Sequence, residues 1–163
     1  MTPETVNLIE AARQFSYTPE IRELTAPIYE RVRSVIPEVE WPVHAPYVAA
    51  INALKKERNA VILAHSYVTP DIIYSVADYS GDSYELSKNA LEAEGELIVF
   101  AAVRFMGETA KILSPHKEVL IPGTDPACSL ADSITGEDVR ADATGVHEGD
   151  DRRLDRSGCG RQG

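Results

Sequence analysis

Short apolar runs alternate with amphipathic stretches in the middle of the chain, from residue 59 to residue 140. The apolar runs are rich in β-branched residues and lack polar alternation, which is typical of strands covered on both faces. They are residues 60–64, 97–102 and 118–121. Helical spacing is found in the stretches 70–78, 83–93 and 107–113. This alternation predicts right-handed parallel crossovers and an α/β fold, a three-layer α/β/α sandwich with a short parallel sheet.

The first 58 residues predict a helical N-terminal extension. Thr2, Thr18 and Thr25 each stand just before a proline, the arrangement of a helix cap followed by a first-turn proline. Three further prolines surround Trp41 and predict a loop there, after which residues 47–57 predict a helix that leads into the first strand. The prolines of this loop are Pro37, Pro42 and Pro46.

The last stretch, residues 141–163, has a different composition from the rest of the chain. It holds five of the ten glycines and no aromatic residue, and its apolar residues follow neither helical nor strand spacing. Such a segment buries too little apolar surface to offset the entropy of ordering, so we expect it to be disordered. The predicted organisation is a helical extension over 1–58, an α/β domain over 59–140 and a disordered tail over 141–163.

Composition narrows the classes of partner. With 163 residues, 44% of them hydrophobic, the chain can form one domain with a substantial core. Its net charge of −10 provides no basic face for nucleic acid or an anionic membrane surface. The longest apolar run, residues 97–103, is too short to cross a bilayer, and no signal-peptide pattern opens the sequence. We therefore expect a cytoplasmic protein, in which the two cysteines form no disulfide framework.

Polar side chains follow the predicted strands at the edge where parallel sheets collect their ligands. His65 and Tyr67 come directly after the first strand, where a histidine can donate or accept a proton and a tyrosine can relay one. Gly81, Asp82 and Ser83 precede the predicted helix 83–93, whose N-terminus favours an anion. Two simpler interpretations remain open: a strand-end histidine satisfied by the backbone, and a turn with a helix cap.

Cys128 is the other candidate in this region. It precedes a predicted helix over residues 129–134, whose N-terminal field would stabilise a thiolate. It has no CxxC partner, so an inert buried thiol is the alternative. The residues by themselves therefore predict a small-anion site on an α/β sheet edge and name no reaction.

Five sequence islands, in this order and spacing, resemble quinolinate synthase, the iron–sulfur enzyme family of bacterial and archaeal NAD biosynthesis. The resemblance covers roughly residues 47–140. Gly107 stands where alanine is usual, and Ala127 stands where glycine is common before the cysteine. The islands are residues 61–67, 77–83 with Glu85 and Leu86, 98–100, 105–113 and 128–132.

The resemblance implies a reaction, a cofactor and roles for particular residues. Iminoaspartate and dihydroxyacetone phosphate would condense to quinolinate with loss of phosphate and water. A 4Fe-4S cluster held by three cysteines would keep one iron open as a Lewis acid. By motif match, Cys128 would be the first cluster ligand, His65 and Ser83 would hold substrate carboxylate or phosphate oxygens, and Tyr67, with His65, would serve catalysis by moving protons.

The family enzyme is considerably longer, with three similar α/β domains that each supply one cysteine. This chain matches the first domain, and Cys159 lies in no family motif. One hypothesis is that a frameshift or an early stop has replaced the other two domains, which would leave apolar surfaces exposed. We then expect the chain alone to be inactive or nearly so. The alternative function is a non-catalytic α/β domain that binds a small dicarboxylate or phosphate.

Overall fold

The computed structural model describes residues 1–123 and 126–143. These residues divide between two compact units, one formed by Met1–Pro126 and one that begins at Ala127. All the strands of the described chain lie in the first unit. Within the described residues, no helix has both the length and the apolar character needed to cross a membrane.

A four-stranded parallel sheet forms the centre of the first unit, with strand order β2-β1-β3-β4. In register, Leu63 of β1 pairs with Tyr79 of β2 on one side and with Phe100 of β3 on the other. The predicted parallel α/β architecture is therefore confirmed. The strands are β1 Ala60–His65, β2 Tyr79–Gly81, β3 Leu97–Ala101 and β4 Glu118–Leu120.

The strand β2 was not predicted. Its sequence, Tyr79-Ser80-Gly81, contains no apolar run, and it lies at an edge of the sheet with its side chains largely exposed. Pairing with β1 is made by backbone groups, so the strand leaves no hydrophobic pattern in the sequence. It also shortens the preceding helix, α4, to Pro70–Ser75 instead of the expected 70–78.

Helices cover both faces of the sheet. Helices α5 (Ser83–Glu92) and α6 (Arg104–Leu113) pack on one face, where Phe100 of β3 is fully buried. Helix α6 starts earlier than the predicted 107–113. The opposite face carries α4 and the longer N-terminal helices around Ile62 of β1. Two separate hydrophobic cores on the two faces confirm the predicted three-layer sandwich.

The N-terminal helices are α1 (Pro3–Arg13), α2 (Pro19–Val32) and α3 (Trp41–Glu57). Thr2 and Thr18 cap α1 and α2 as predicted, since each hydroxyl accepts a backbone N–H from the first turn. The expected loop around Trp41 is instead the start of α3. Its Pro42 falls in the first turn, where no intrahelical donor is needed, while Pro46 lies inside the helix.

These helices belong to the same compact unit as the sheet. Trp41 and Val48 of α3 pack in one core with Ile62 of β1. Glu57 at the end of α3 accepts hydrogen bonds from the N-terminal amine at 2.8 Å and from the Thr2 N–H at 2.9 Å. These bonds lower the pKa of Glu57 to about 2 and fasten α1 to α3.

The described part of the second unit contains a 3₁₀ turn and a helix. The predicted helix 129–134 is wrong, because only a 3₁₀ turn forms there, at Ala131–Ser133. A helix runs over residues 136–143, so residues 141–143 are helical although the sequence predicted disorder from residue 141. The rest of that predicted tail, residues 144–163, lies outside the described residues.

An apolar groove of about 780 Å³ lies on the α3 side of the sheet in the first unit. Ile51 and Leu54 of α3 form one wall, and Leu97 and Val99 of β3 form the floor. Along β3 the burial alternates, because Ile98 and Phe100 are buried under α5 and α6 whereas the residues facing the groove are only half-buried. The groove is thus an apolar sheet face that α3 covers incompletely.

We expect Asp78 to stabilise the junction between α4 and the sheet. Its carboxylate accepts the Ile62 N–H at 2.8 Å and the Lys55 ammonium at 2.8 Å, and Lys55 also donates to the Val76 carbonyl. Asp78→Ala leaves the Ile62 N–H of β1 without its acceptor. The free energy of unfolding should fall by about 1–2 kcal/mol, a value reduced because the carboxylate is partly exposed. Lys55→Met should cost less, about 1 kcal/mol or below. Urea unfolding followed by circular dichroism measures both, and an equal or larger loss in Lys55→Met would contradict this role for Asp78.

Candidate functional site

The site begins at His65, the last residue of β1. Three fully or nearly fully buried residues, Ile62, Leu63 and Ala64, precede it, so the apolar core fixes the strand up to the point where the imidazole emerges. His65 pairs in register with Gly81 of β2, and the Ser66 N–H donates to the Gly81 carbonyl at 2.9 Å. The strand end therefore lies next to the segment that leads into α5.

Ser83 is the first residue of α5, and Asp82 is its N-cap. The Asp82 carboxylate accepts the Glu85 N–H at 2.8 Å, so the simpler interpretation of this segment as a turn with a helix cap is correct. That carboxylate already places a negative charge at the N-terminus of the helix. The helix dipole alone therefore does not make this helix end an anion site, and the Ser83 hydroxyl is the group here that could hydrogen-bond a ligand.

The structure brings Ser83 and His65 together although 18 residues separate them along the chain. The Ser83 Oγ lies 3.4 Å from His65 Nε2 and 3.7 Å from the Met106 sulfur of α6, to which it donates. Both side chains are half-buried. Two polar groups from separate elements thus face one position at the carboxyl edge of the sheet.

Tyr67 completes the cluster from the loop after β1. Its ring stacks on the imidazole of His65, with ring centroids 4.1 Å apart and planes tilted by 32°. The backbone N–H of Tyr67 donates to His65 Nδ1 at 3.3 Å. Its hydroxyl accepts the Val103 N–H at 2.9 Å, just before α6 begins, and the side chain is 55% exposed. The phenol is therefore held in place while open to solvent.

Sequence reasoning missed two of these contacts. Met106 lies in one of the family-like islands but carries no charge or proton that would mark it as a site residue. Val103 contributes only its backbone N–H, which any residue except proline would supply. Arg104 is the first residue of α6, and its N–H donates to the Pro126 carbonyl at 2.7 Å.

Cys128 lies in the second unit. Its thiol is free and half-buried, its N–H donates to Asp132 Oδ2 at 3.2 Å, and its carbonyl accepts the Asp132 N–H at 2.8 Å. No α-helix starts at this residue, so the helix field that the sequence suggested for a thiolate is not present. The convergence of Cys128 with His65 and Ser83 on one rim stays a prediction.

The described residues contain no group of three or more His, Cys, Asp or Glu side chains that could hold a metal ion. Cys128 is their single cysteine. This part of the chain therefore offers one sulfur ligand and not the complete set for an iron–sulfur cluster.

Sequence comparison identifies the relatives of the chain. Residues 49–149 match the family described as quinolinate synthetase A protein, which carries the likeness past residue 140, the approximate end of the resemblance found in the sequence. Quinolinate synthase of Sinorhizobium fredii is 56% identical over 125 residues, 77% of this chain and 35% of that protein. Quinolinate synthase of Caulobacter vibrioides is 52% identical over 124 residues, 76% of this chain and 34% of that protein.

The enzyme of Agrobacterium fabrum with the same name is 55% identical over 114 residues, 70% of this chain and 33% of that protein. The chain thus spans about a third of the length of the curated relatives it matches. The family match covers all four strands, the helices α4 to α6 and all three members of the His65, Tyr67 and Ser83 cluster. The chain belongs to the quinolinate synthetase A protein family.

Proposed function

We propose that the chain supplies the first α/β domain of a quinolinate synthase, in which iminoaspartate and dihydroxyacetone phosphate condense to quinolinate in the cytoplasm. The observation that carries the proposal is the cluster of His65, Tyr67 and Ser83 at the carboxyl edge of the sheet. Parallel α/β sheets bind ligands at this edge. Both substrates are acidic, and the three side chains all carry groups that hydrogen-bond oxyanions.

The three residues take different roles in the proposed site. His65 Nε2 and Ser83 Oγ, 3.4 Å apart, face the same position and can hold two oxygens of one carboxylate or phosphate. Tyr67 uses one lone pair for the Val103 N–H, which leaves its own O–H available to donate to the substrate. Its exposed position suits a group that moves a proton between substrate and solvent.

The family's 4Fe-4S cluster supplies Lewis-acid chemistry when it is bound, and Cys128 is the residue of this chain that would ligate it. The described residues do not fit a whole cluster, since they provide one thiol. Substrate binding by His65, Tyr67 and Ser83 is therefore the part of the function that this chain's own described residues can perform.

A second candidate function follows from the same incomplete ligand set. A non-catalytic α/β domain that binds a small dicarboxylate or phosphate needs the His65 and Ser83 pair but no iron. The two functions share the binding site and differ in the requirement for a cluster. Purification under nitrogen tests this difference in one direction. A brown protein supports the enzyme, whereas a colourless protein that binds dicarboxylates fits the binding domain and also an enzyme domain whose single matching cysteine holds no cluster.

The substitution Ser83→Ala tests the binding site. Loss of one hydrogen bond to a charged ligand costs about 1.5–3 kcal/mol, so affinity for quinolinate should fall roughly 10- to 100-fold. The measurement is a titration of the 15N-labelled chain with quinolinate, and separately with inorganic phosphate, followed by backbone amide shifts around His65.

The matched control is Ser87→Ala on the same helix. The hydroxyl of Ser87 donates to the Ser83 carbonyl at 2.7 Å and takes no part in the cluster, so this variant should bind like the unmodified chain. Equal affinities for Ser83→Ala and Ser87→Ala, or no amide shifts near His65 in the unmodified chain, would refute the proposed site.

A further inference from the structure

The Tyr67 backbone amide contacts one of the two nitrogens of the His65 ring, and this contact bears on where the neutral ring carries its proton. The Tyr67 backbone N–H donates to His65 Nδ1 at 3.3 Å, and a nitrogen that accepts a hydrogen bond carries no proton. The neutral ring then carries its proton on Nε2, the nitrogen that faces Ser83 Oγ at 3.4 Å. Since an imidazole has only two nitrogens, one backbone contact determines what the ring offers to a ligand.

We infer that the Tyr67 backbone amide fixes the Nε2–H tautomer of His65, so that His65 meets its ligand as a hydrogen-bond donor and not as a base. Tyr67 is thus a positioning residue through its amide, separately from any role of its hydroxyl. This inference rests on the proposed function for the identity of the site and extends it by assigning the direction of each hydrogen bond.

The neighbouring contacts agree with this direction. With its proton on Nε2, His65 donates to Ser83 Oγ, and the Ser83 hydroxyl in turn donates to the Met106 sulfur at 3.7 Å. The Tyr67 ring stacks on one face of the imidazole, with the centroids 4.1 Å apart. His65 and Ser83 then each donate to an acceptor in the cluster, and no two donors face each other.

The arrangement selects a chemical class of ligand. This tautomer leaves donors for a ligand: an acceptor atom that replaces Ser83 Oγ at His65 Nε2 meets an N–H, and the Tyr67 hydroxyl, whose oxygen accepts the Val103 N–H, keeps its own O–H to donate. Such a site fits groups that only accept, namely ionised carboxylates and phosphate oxygens, and it repels ammonium groups, which only donate. The ligand oxygen nearest Nε2 should therefore be an oxyanion.

The test is the tautomer of His65, observed by two-bond 15N–1H correlation spectra of the 15N-labelled chain at pH about 8.5, where an ordinary histidine is neutral. His65→Gln identifies the His65 signals by their loss. We expect His65 to show the limiting pattern of a ring with Nε2 protonated, whereas the exposed His116 shows the averaged shifts of a freely exchanging ring. Averaged shifts at His65, or a ring protonated on Nδ1, would overturn the inference.

Two variants show which contact sets the tautomer. Ser83→Ala removes the acceptor at Nε2 but keeps the Tyr67 amide, so the Nε2–H pattern should persist; a change to averaged shifts would assign control to Ser83 and refute the inference. Tyr67→Phe keeps both the amide and the stacked ring and should leave the pattern unchanged. These spectra need no ligand, so a fixed tautomer without quinolinate binding would reject the proposed function and retain this inference.

Discussion

The variant Lys117→Ala should lose about 3 kcal/mol of unfolding free energy. Lys117 is only 7% exposed, and its ammonium donates to the backbone carbonyls of Ala90, at 3.1 Å, and Ala93. Helix α5 ends at Glu92, so the charge satisfies carbonyls at a helix C-terminus, where a cation is favoured. The variant removes the buried aliphatic stem and leaves the Ala93 carbonyl buried without its donor.

Two comparisons separate packing from hydrogen bonding at this position. Lys117→Met restores most of the stem without the donors and should recover roughly half of the loss. Lys111 is the matched control, because it too donates to two carbonyls, those of Pro115 and Lys117, but from an exposed position. Lys111→Ala should therefore cost about 0.5 kcal/mol or less. Guanidinium unfolding curves give all three values, and a loss in Lys111→Ala as large as in Lys117→Ala would contradict the role of burial.

Buried polar groups such as Lys117 mark the limit of what the sequence predicts in this fold. Strands β1 and β3 were predicted because their residues form unbroken apolar runs, which leave few alternatives in a chain of this size. Nothing in the sequence distinguishes Lys117, buried at the end of α5, from the exposed Lys111. The difference arises only when the residue before β4 meets the C-terminal end of α5 in the folded chain.

Local irregularities were missed for the opposite reason, because the local residue pattern was misleading. The prolines around Trp41 predicted a loop, but the burial of Trp41 against Tyr29 and the core outweighs the hydrogen bond that Pro46 costs α3. The polar strand β2 forms because the exposed edge of β1 offers unpaired backbone groups. In both cases tertiary packing overrides local propensity.

The candidate site was partly predictable because topology constrains it. Parallel strands bring their carboxyl ends to one edge, so the approach of His65 and Ser83 followed from the order of strands and helices. The direction of their hydrogen bonds did not follow, because the amide of Tyr67 determines it and backbone groups have no signature in the sequence. The residue types indicate where the site lies, whereas the directions of its hydrogen bonds depend on backbone geometry.

The residues of this chain also limit how much iron it can hold. In the proposed function Cys128 would be a cluster ligand, and yet the 163-residue polypeptide contains only two cysteines, Cys128 and Cys159. An iron–sulfur cluster of the family type needs more thiolates than one chain with a single matching cysteine provides. Anaerobic reconstitution of this polypeptide with iron and sulfide, followed by desalting, should leave far less than one cluster per chain, measured by iron content and by the broad charge-transfer absorption.

Cys128→Ser and Cys159→Ser are the matched variants for this experiment. If little iron is retained, both variants should equal the unmodified polypeptide, because a single weak ligand adds no measurable retention. A stoichiometric cluster that survives desalting would contradict the prediction. Its loss in Cys128→Ser but not in Cys159→Ser, together with a native mass of three chains, would then show that several copies pool Cys128 around one cluster. Loss in both variants at the mass of one chain would instead show that the second cysteine completes a site within a single polypeptide.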